Sequence, residues 1–372
     1  MRIPSLPVPA GLRALLGARG RRMAMVTIPV VLVVPLTGAI AGGLRAVFSG
    51  EPKAPLRAEL VNVPRRSTAP VNLSFDSLLG RSGRLRTRLL PPAEVANYPA
   101  LREHFGVSVV SPGIRMLVVP RDNSDFAFIT LRPWRDKLGS HINTYHVGWW
   151  PGERRAMPSN YDNPDGFIEV SKEAADLQIS THFTLRDFLT HDQERIWPKY
   201  LVLREELIDK LELVLATLEA QGIPTRNVVV LSGFRTPQYN ARATFEGAAY
   251  ASRHQYGDAA DVIIDADRNG RMDDLNRDGV VDFADTDVIN RAVEKVERQH
   301  PELVGGLGLY HAMGPRGPFA HIDVRGTRAR WTGNTRSASA GRTRPGVRRE
   351  ESVAVGKCRA EGEMAALCAR MK

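Results

Sequence analysis

The spacing of apolar and polar residues predicts helices in some parts of the chain and strands in others. Leucines recur every three or four residues from Leu201 to Ala220, and Gly222 and Pro224 follow them. This pattern predicts an amphipathic helix that ends before the glycine. Residues 285–299 predict a second helix. Because short strands are predicted as well, the chain is expected to have an α+β fold.

The predicted strands fall into two groups. Between residues 71 and 165, short alternating or β-branched runs are broken by Pro and Asp-Asn, which predicts a small β-rich domain. Further along, the apolar runs Val228–Leu231 and Val262–Ile264 predict buried strands. Residues 317–326 alternate with a period of two, so His321 and Asp323 are expected on one face of a strand.

Residues 252–261, Ser-Arg-His-Gln-Tyr-Gly-Asp-Ala-Ala-Asp, place His254 and Asp261 seven residues apart across a turn. Gly257 interrupts the interval, which indicates a loop that enters a buried strand. Imidazole nitrogen and carboxylate oxygen are common zinc ligands, and a catalytic zinc usually has three protein ligands and a water. His321 is the best third candidate. A histidine taken singly is more often an ordinary hydrogen-bonded side chain than a metal ligand, and it is the combination of the three residues that favours a metal site.

Three segments in this order carry a resemblance to a known family. Residues 232–237 read Ser-Gly-Phe-Arg-Thr-Pro, residues 252–261 match Ser-x-His-x-x-Gly-x-Ala-x-Asp, and residues 319–323 match Phe-x-His-x-Asp. Residues 180–331 thereby resemble the zinc D-alanyl-D-alanine carboxypeptidases, a family with murein D,D-endopeptidases among its members and a metal-site fold shared with hedgehog domains. The resemblance implies a zinc domain over residues 166–331, with an antiparallel sheet and flanking helices.

The resemblance also implies an activity. The expected protein is an exported zinc peptidase that acts on D-Ala-containing peptidoglycan stem peptides or cross-links, as a D,D-carboxypeptidase or a D,D-endopeptidase. Zinc would be held by His254, Asp261 and His321. The alternative is a non-catalytic module that retains the metal fold in order to bind cell wall or a partner.

Roles for further residues follow from chemistry and from the resemblance together. Arg235 is expected to bind a terminal carboxylate of the substrate with two parallel hydrogen bonds, although an ordinary surface arginine is the other reading. Ser252 is a second substrate-binding candidate. Many family members place Glu or His two or three residues before the last zinc histidine, where this chain has Phe and Pro. His311 and Asp323 are therefore the candidates for a catalytic base.

An acidic segment at residues 265–285 is predicted to be a calcium-binding insertion. In the register of a calcium loop, the ligand positions are taken by acidic and amide side chains, with Gly279 at the sixth position and Asp at the twelfth instead of Glu. A second, overlapping register starts at Asp265. A solvated acidic loop is the alternative to a structural calcium site. The calcium candidates are Asp265, Asp267, Asn269, Asp273, Asp274, Asn276, Asp278, Asp282 and Asp285.

Charge is distributed unevenly along the 372 residues. Residues 1–50 carry six Arg and no acid, and residues 327–372 carry eleven Lys or Arg against four Glu, so the net charges are +6 and +7. The total is +10, which leaves 10 − 13 = −3 for the rest. Nucleic-acid binding is not expected of an acidic body. The last segment, residues 332–372, reads as a basic disordered tail.

The N-terminus predicts export. An arginine cluster precedes the apolar run Met23–Leu44, which is long enough to cross a bilayer. Ala39 to Ala41 also form a plausible cleavage site. Residues 1–50 are therefore either a signal peptide or an anchor in the inner membrane, followed by a linker at residues 51–70. The expected location is the periplasm or cell envelope, with peptidoglycan as the partner.

Overall fold

A computed structural model describes residues 64–69, 71–311 and 314–333 of the chain. These residues form an α+β fold with several small sheets and few helices. The predicted signal or anchor, most of the predicted linker and nearly all of the predicted tail lie outside the described residues. Within the described ranges, no helix is both long and apolar enough to cross a membrane.

The described residues contain fourteen strands and five α-helices. The strands are β1 Arg65–Ser67, β2 Thr87–Leu90, β3 Gly113–Val118, β4 Asp125–Thr130, β5 Arg132–Pro133, β6 His141–Ile142, β7 Tyr145–His146, β8 Gly166–Val170, β9 Lys199–Leu201, β10 Val228–Ser232, β11 Ala259–Ile264, β12 Gly306–Tyr310, β13 Phe319–Asp323 and β14 Ala329–Gly333. The helices are α1 Pro99–Phe105, α2 Pro151–Arg154, α3 Glu205–Glu219, α4 Pro237–Ala243 and α5 Phe283–Gln299.

These strands form four sheets. The largest has five strands in the order β10-β11-β13-β12-β14, and all of its pairs are antiparallel except β12 with β14. A four-stranded sheet has the order β1-β3-β4-β2. The other two are a three-stranded sheet, β5-β8-β9, and the hairpin β6-β7. The five-stranded sheet is the one that positions the candidate site.

Pairing across the five-stranded sheet aligns one residue from each strand. Ser232 pairs with Asp261, Asp261 with His321, His321 with Gly308, and Gly308 with Trp331. Because directly paired residues point to the same face of a sheet, these five residues form one row. The row brings Asp261 and His321 together although sixty residues separate them in the chain.

The opposite face of this sheet packs on α5, which in turn packs on α3. The buried side chains of α3 follow the three- and four-residue spacing seen in the sequence, and include Leu207, Leu211, Val214, Leu215 and Leu218. Alternation along β12 turns Leu307 and Leu309 towards α5. The even-numbered residues of β12 therefore face the row that contains His321.

Several predicted elements are confirmed, with shifted ends. β10, β11 and β13 lie where buried strands are predicted, and α5 begins two residues before the predicted start. The leucine-rich helix begins at Glu205, because Lys199–Leu201 instead pairs with β8 as β9. Part of the predicted linker forms β1, which pairs with β3.

The residues that the structure describes form two hydrophobic cores. The smaller one is built from residues 71–128, within the segment predicted as a β-rich domain. The larger one draws on residues from both sides of the boundary predicted at 165. Trp150, for example, is fully buried, stacks on Phe234 and donates from its indole nitrogen to the carbonyl of Gln255.

Candidate metal centre

Three buried side chains converge on one point. The Nε2 atom of His254 lies 3.2 Å from the Nδ1 atom of His321 and 3.3 Å from the Oδ1 atom of Asp261. The third side of this triangle, from His321 Nδ1 to Asp261 Oδ1, is 2.9 Å. His254 is 2% exposed, Asp261 is 5% exposed and His321 is 7% exposed. All three sequence-predicted zinc ligands are thus brought together.

Local structure explains how the chain delivers His254. Residues 253–256 form a single 3-10 turn, and Gly257 ends it with a φ of +66°. A Cβ atom at Gly257 would also overlap the backbone of Val202, so only glycine fits this position. The chain then enters β11, where Asp261 is the third residue.

A hydrogen bond fixes the tautomer of His254, and a carboxylate faces each ring nitrogen of His321. His254 Nδ1 lies 2.7 Å from the carbonyl oxygen of Gly233, which can only accept, so Nδ1 carries the proton. His321 Nε2 lies 3.1 Å from Asp323 Oδ2, and its Nδ1 lies 2.9 Å from Asp261 Oδ1. The lone pair of His254 Nε2 therefore faces Asp261. With a cation at the centre, His321 would keep its proton on Nε2, towards Asp323, and turn the lone pair of Nδ1 inward. Metal-binding histidines are oriented by this kind of hydrogen bond.

The environment sets different protonation preferences for the three groups. Burial lowers the pKa of His254 to about 4, and the nearby Arg235 guanidinium acts in the same direction. Burial also opposes charge on His321, but its hydrogen bonds to Asp261 and Asp323 outweigh burial and raise its pKa. Although burial opposes ionisation of Asp261, the two histidines hold its pKa well below the usual range.

The geometry fits a zinc ion. Tetrahedral zinc with bonds of about 2.0–2.1 Å to nitrogen and oxygen would keep its ligand atoms about 3.3 Å apart. The observed separations of 2.9, 3.2 and 3.3 Å are close to that value. A cation would also remove the repulsion between two lone pairs and a carboxylate. Three protein ligands are the number found in catalytic zinc sites.

The atoms His254 Nε2, Asp261 Oδ1 and His321 Nδ1 form the ligand triangle. Asp323 lies on the other side of the His321 ring, away from this triangle. Its Oδ1 atom accepts from the backbone N–H of Gly306 at 2.6 Å and from Arg325 Nε at 2.9 Å. Although burial opposes ionisation, His321 and Arg325 hold the pKa of Asp323 well below its usual range. Asp323 therefore orients His321, and its position argues against a role as the base.

The other candidate for a base, His311, lies elsewhere. Its ring stacks on Phe283, the first residue of α5, with the ring centroids 4.0 Å apart. It follows Leu307 and Leu309 in the alternation of β12, so it shares the face that packs on α5. The geometry thus places His311 on the opposite side of the sheet from the ligand triangle.

Arg235 contacts the candidate metal centre directly. Its Nη2 atom donates to Asp261 Oδ2 at 2.8 Å, and its Nε atom donates to Ser232 Oγ at 2.7 Å. The guanidinium therefore fixes the carboxylate oxygen that does not face the histidines. Ser252 precedes the turn 253–256, and its hydroxyl forms no capping hydrogen bond there.

Sequence reasoning missed two aromatic residues beside the metal centre. The rings of His321 and Trp331 are 5.2 Å apart, and the Trp331 indole N–H donates to the Tyr310 hydroxyl at 2.9 Å. Trp331 lies across Gly308, where any Cβ atom would overlap the indole. The available signal was the segment Gly306-Leu307-Gly308-Leu309-Tyr310, in which glycine alternates with leucine and a tyrosine follows in line with the two glycines.

Buried charges support the strand that carries His321. Lys210 of α3 is fully buried and donates to Glu297 of α5 at 2.7 Å and to the backbone carbonyl of Asp323 at 2.8 Å. Glu297 also pairs with Arg330 of β14. Both helices are thereby tied by charge-assisted hydrogen bonds to the sheet that holds the centre.

The acidic segment forms two successive loops of the same shape. In the first, Asp265 accepts hydrogen bonds from the backbone N–H groups four and five residues later. In the second, Asp274 accepts from the N–H groups four and five residues later in the same way. Arg268 and Arg277 both have a positive φ, as have Gly270 and Gly279. The loops are thus a tandem repeat of nine residues.

Several of the calcium candidates come close together. In the first loop, carboxylate oxygens of Asp265, Asp267 and Asp273 lie within 4.8 Å of one another. In the second, Asp285 is fully buried and accepts from the N–H of Leu275 at 2.7 Å. Hydrogen bonds among the side chains and backbone also engage Asn269, Asn276, Asp278 and Asp282.

The ligand triangle, the Arg235 contact and the two acidic loops are the features that bear most on function. Comparison with known proteins shows that no family model, no curated protein and no solved structure matches the chain.

Proposed function

We propose that this protein is an exported zinc peptidase of the hedgehog/D,D-peptidase fold, acting on D-Ala-containing stem peptides or cross-links of peptidoglycan. The observation that carries the proposal is the triangle of His254, Asp261 and His321, whose three ligand atoms are 2.9–3.3 Å apart. The order of the three sequence segments that resemble the family supports the substrate class. Export is proposed from the N-terminal sequence.

Zinc in this site would supply a Lewis acid and a bound water of lowered pKa. The chain's own residues provide the surroundings. Gly233 and Asp323 hold the two imidazoles in the tautomers that turn lone pairs to the centre. Arg235 holds the outer oxygen of Asp261, so the carboxylate presents one oxygen towards the histidines.

Arg235 is also the proposed substrate anchor. It is partly exposed, and a guanidinium has five N–H donors, of which two are used on Ser232 and Asp261. A carboxylate at the end of a stem peptide could accept from the remaining donors. The same side chain would therefore link substrate binding to the position of a metal ligand.

We propose in addition that the acidic loops bind calcium for a structural purpose. They connect β11, which carries Asp261, to α5, which packs behind the metal strands. Carboxylates that lie this close repel one another unless a cation is present. The role of a cation here would be to stabilise this connection between β11 and α5.

Digestion of peptidoglycan tests the enzymatic proposal against the binding-module alternative. The full chain, purified in detergent and loaded with zinc, is incubated with purified peptidoglycan, and the soluble products are separated and identified by mass. A carboxypeptidase releases free D-alanine, whereas an endopeptidase releases unlinked muropeptides.

His321→Ala is the inactive control, and His104→Ala is the matched control because His104 lies in the region of the small core and contacts Ser67. The enzymatic proposal fails if the zinc-loaded protein binds peptidoglycan without forming products and His321→Ala binds equally well. That result would favour the non-catalytic module.

A further inference from the structure

Tyr310 shares the face of the sheet that carries the metal ligands. Gly308 pairs with His321, and Tyr310 is two residues further along the same strand, so its side chain leaves the same face. Its ring stacks in parallel on Phe319, with centroids 4.5 Å apart. Phe319 precedes His321 by two residues on β13. Tyr310 thus lies diagonally next to a metal ligand.

Trp331 contacts both His321 and Tyr310, and it orients the Tyr310 hydroxyl. The indole packs against the His321 ring on one side, and its N–H donates to the Tyr310 oxygen at 2.9 Å. The indole N–H is a donor only, so the phenol must be the acceptor in this contact. The proton of the Tyr310 hydroxyl is therefore not used in its bond to Trp331.

The surroundings keep this phenol protonated. Burial raises the pKa of Tyr310 above its ordinary value, and the nearby Asp261 carboxylate acts in the same direction, although the hydrogen bond from Trp331 opposes them. Tyr310 is nevertheless partly exposed. A protonated phenol that is oriented by a neighbour and reaches solvent is suited to donate a hydrogen bond to a ligand.

We propose that the Tyr310 hydroxyl donates a hydrogen bond to the carbonyl oxygen of the scissile amide and stabilises the negative charge that develops there. This inference rests on the proposed peptidase function and names a further catalytic residue for it. The overall reaction consumes one water. Its oxygen forms the new bond to the carbonyl carbon, the C–N bond breaks, and hydrogen from the water ends on the released amine. Tyr310 keeps its proton throughout.

The Tyr310 hydroxyl supplies a catalytic group that could not be assigned from the sequence. A base two or three residues before His321 is excluded because those residues are Phe319 and Pro318. Asp323 and His311 are turned away from the ligand triangle. Stabilisation of a developing oxyanion by fixed donors is commonly a large part of catalysis, and Tyr310 offers such a donor on the correct face.

The test compares Tyr310→Phe with the wild type in two measurements on the zinc-loaded full chain. The first is calorimetric affinity for a D-Ala-D-Ala phosphinate, whose tetrahedral anion replaces the scissile amide. We expect Tyr310→Phe to weaken this affinity by about tenfold or more while the bound zinc is unchanged. The second is turnover of a D-Ala-D-Ala-terminated stem peptide, where kcat should fall about a hundredfold with little change in KM.

Two further variants separate the catalytic role from a structural one. Trp331→Phe removes the donor that orients the phenol, so it should cause a smaller loss in both measurements. Tyr98→Phe is the matched control, because Tyr98 also accepts a hydrogen bond, from Arg88 at 3.1 Å, but packs on the small core. It should behave as the wild type.

The outcomes distinguish the two proposals. If the wild type cleaves the peptide and Tyr310→Phe matches it in phosphinate affinity and kcat, the Tyr310 assignment is wrong and the peptidase function stands. If zinc-loaded wild type neither cleaves the peptide nor binds the phosphinate, both proposals are wrong. If Tyr310→Phe loses zinc, or its loss of affinity is matched by Tyr98→Phe, the effect is structural and the assignment is also wrong.

Discussion

His321 and Asp323 lie two residues apart on β13, and their side chains meet on one face of the strand with His321 Nε2 3.1 Å from Asp323 Oδ2. Arg325 and the N–H of Gly306 hold the carboxylate in turn. A Cβ atom at position 306 would overlap this carboxylate. The strand thus carries both a proposed metal ligand and the carboxylate that contacts the outer nitrogen of that histidine.

Replacing Asp323 by Asn tests this relationship. The amide keeps the size of the side chain but removes the negative charge that accepts the His321 proton, so His321 should present a lone pair to the metal less often. Loss of such a partner typically costs about 10–100-fold in metal affinity. Competition with a chelator of known zinc affinity measures the change.

Asp258→Asn is the control for that variant. Asp258 is also fully buried and is paired with an arginine, Arg253, but it contacts neither histidine through a described hydrogen bond. We expect it to lower the melting temperature and leave zinc affinity unchanged. Equal effects of the two variants on zinc affinity would mean that Asp323 does not act through His321.

The proposed zinc ligands give a second prediction. Purified protein should contain about one zinc per chain, because one triangle of ligands fits one ion. His254→Ala should abolish it, since the remaining two ligands cannot close the site, and elemental analysis measures the content. His104→Ala should retain the metal. Stoichiometric zinc in His254→Ala would contradict the assignment.

The ligand triangle could be anticipated from sequence because each part has a local signature. A turn with glycine sets His254 before a strand, and alternation places His321 on one face of another. The roles of Asp323 and His311 could not be assigned this way. The position of His311 depends on which face of the sheet packs on α5, and the role of Asp323 depends on which ring nitrogen of His321 it contacts. Neither relationship has a local signature.

The ends of elements show the same limit. Leu201 fits the leucine spacing of the predicted helix, yet it lies in β9 because β8 offers it a pairing partner from a distant segment. In contrast, the acidic loops are local structures. Their nine-residue repeat can be read directly as Asp-x-(Asp/Asn)-Arg-(Asn/Asp)-Gly-x-x-Asp, beginning at Asp265 and at Asp274.

The proposed binding of calcium by these loops predicts a change in stability. A calcium-selective chelator should lower the melting temperature of the wild type without removing zinc, because a ligand that binds only the native state stabilises it. Asp278→Ala should lower it similarly and respond less to the chelator. Asp287→Ala is the matched control, since Asp287 is an exposed acid of α5 outside both loops. An unchanged melting curve with and without calcium would show that the loops are solvated acidic surface.

The buried lysine behind the centre predicts a large stability effect. Lys210→Met keeps most of the side-chain volume but leaves Glu297 and the carbonyl of Asp323 without their shared donor. Breaking a buried ion pair by removing one partner costs about 3–5 kcal/mol. Arg330 still pairs with Glu297, so we expect about 3 kcal/mol in a denaturant titration. Lys295→Met, at an exposed position of α5, should change the unfolding free energy little, and equal effects would contradict a role for the buried pair.

The effect of replacing Arg235 should show which bond the protein cleaves. Its guanidinium donates hydrogen bonds to Asp261 and Ser232, so Arg235→Ala should weaken zinc binding modestly. This effect on zinc should be the same whichever substrate is used. The loss of substrate binding should depend on the reaction, because a D,D-carboxypeptidase must hold a terminal carboxylate, whereas an endopeptidase cuts within a cross-link. For a D,D-carboxypeptidase, the kcat/KM of Arg235→Ala should fall by at least about thirtyfold, or about 2 kcal/mol, when measured with zinc in excess.

The control variant Arg235→Lys should restore the positive charge but not the paired hydrogen bonds. A fall that is equal for terminal D-Ala-D-Ala and for cross-linked muropeptides would mean that Arg235 acts only through Asp261 and does not bind the carboxylate.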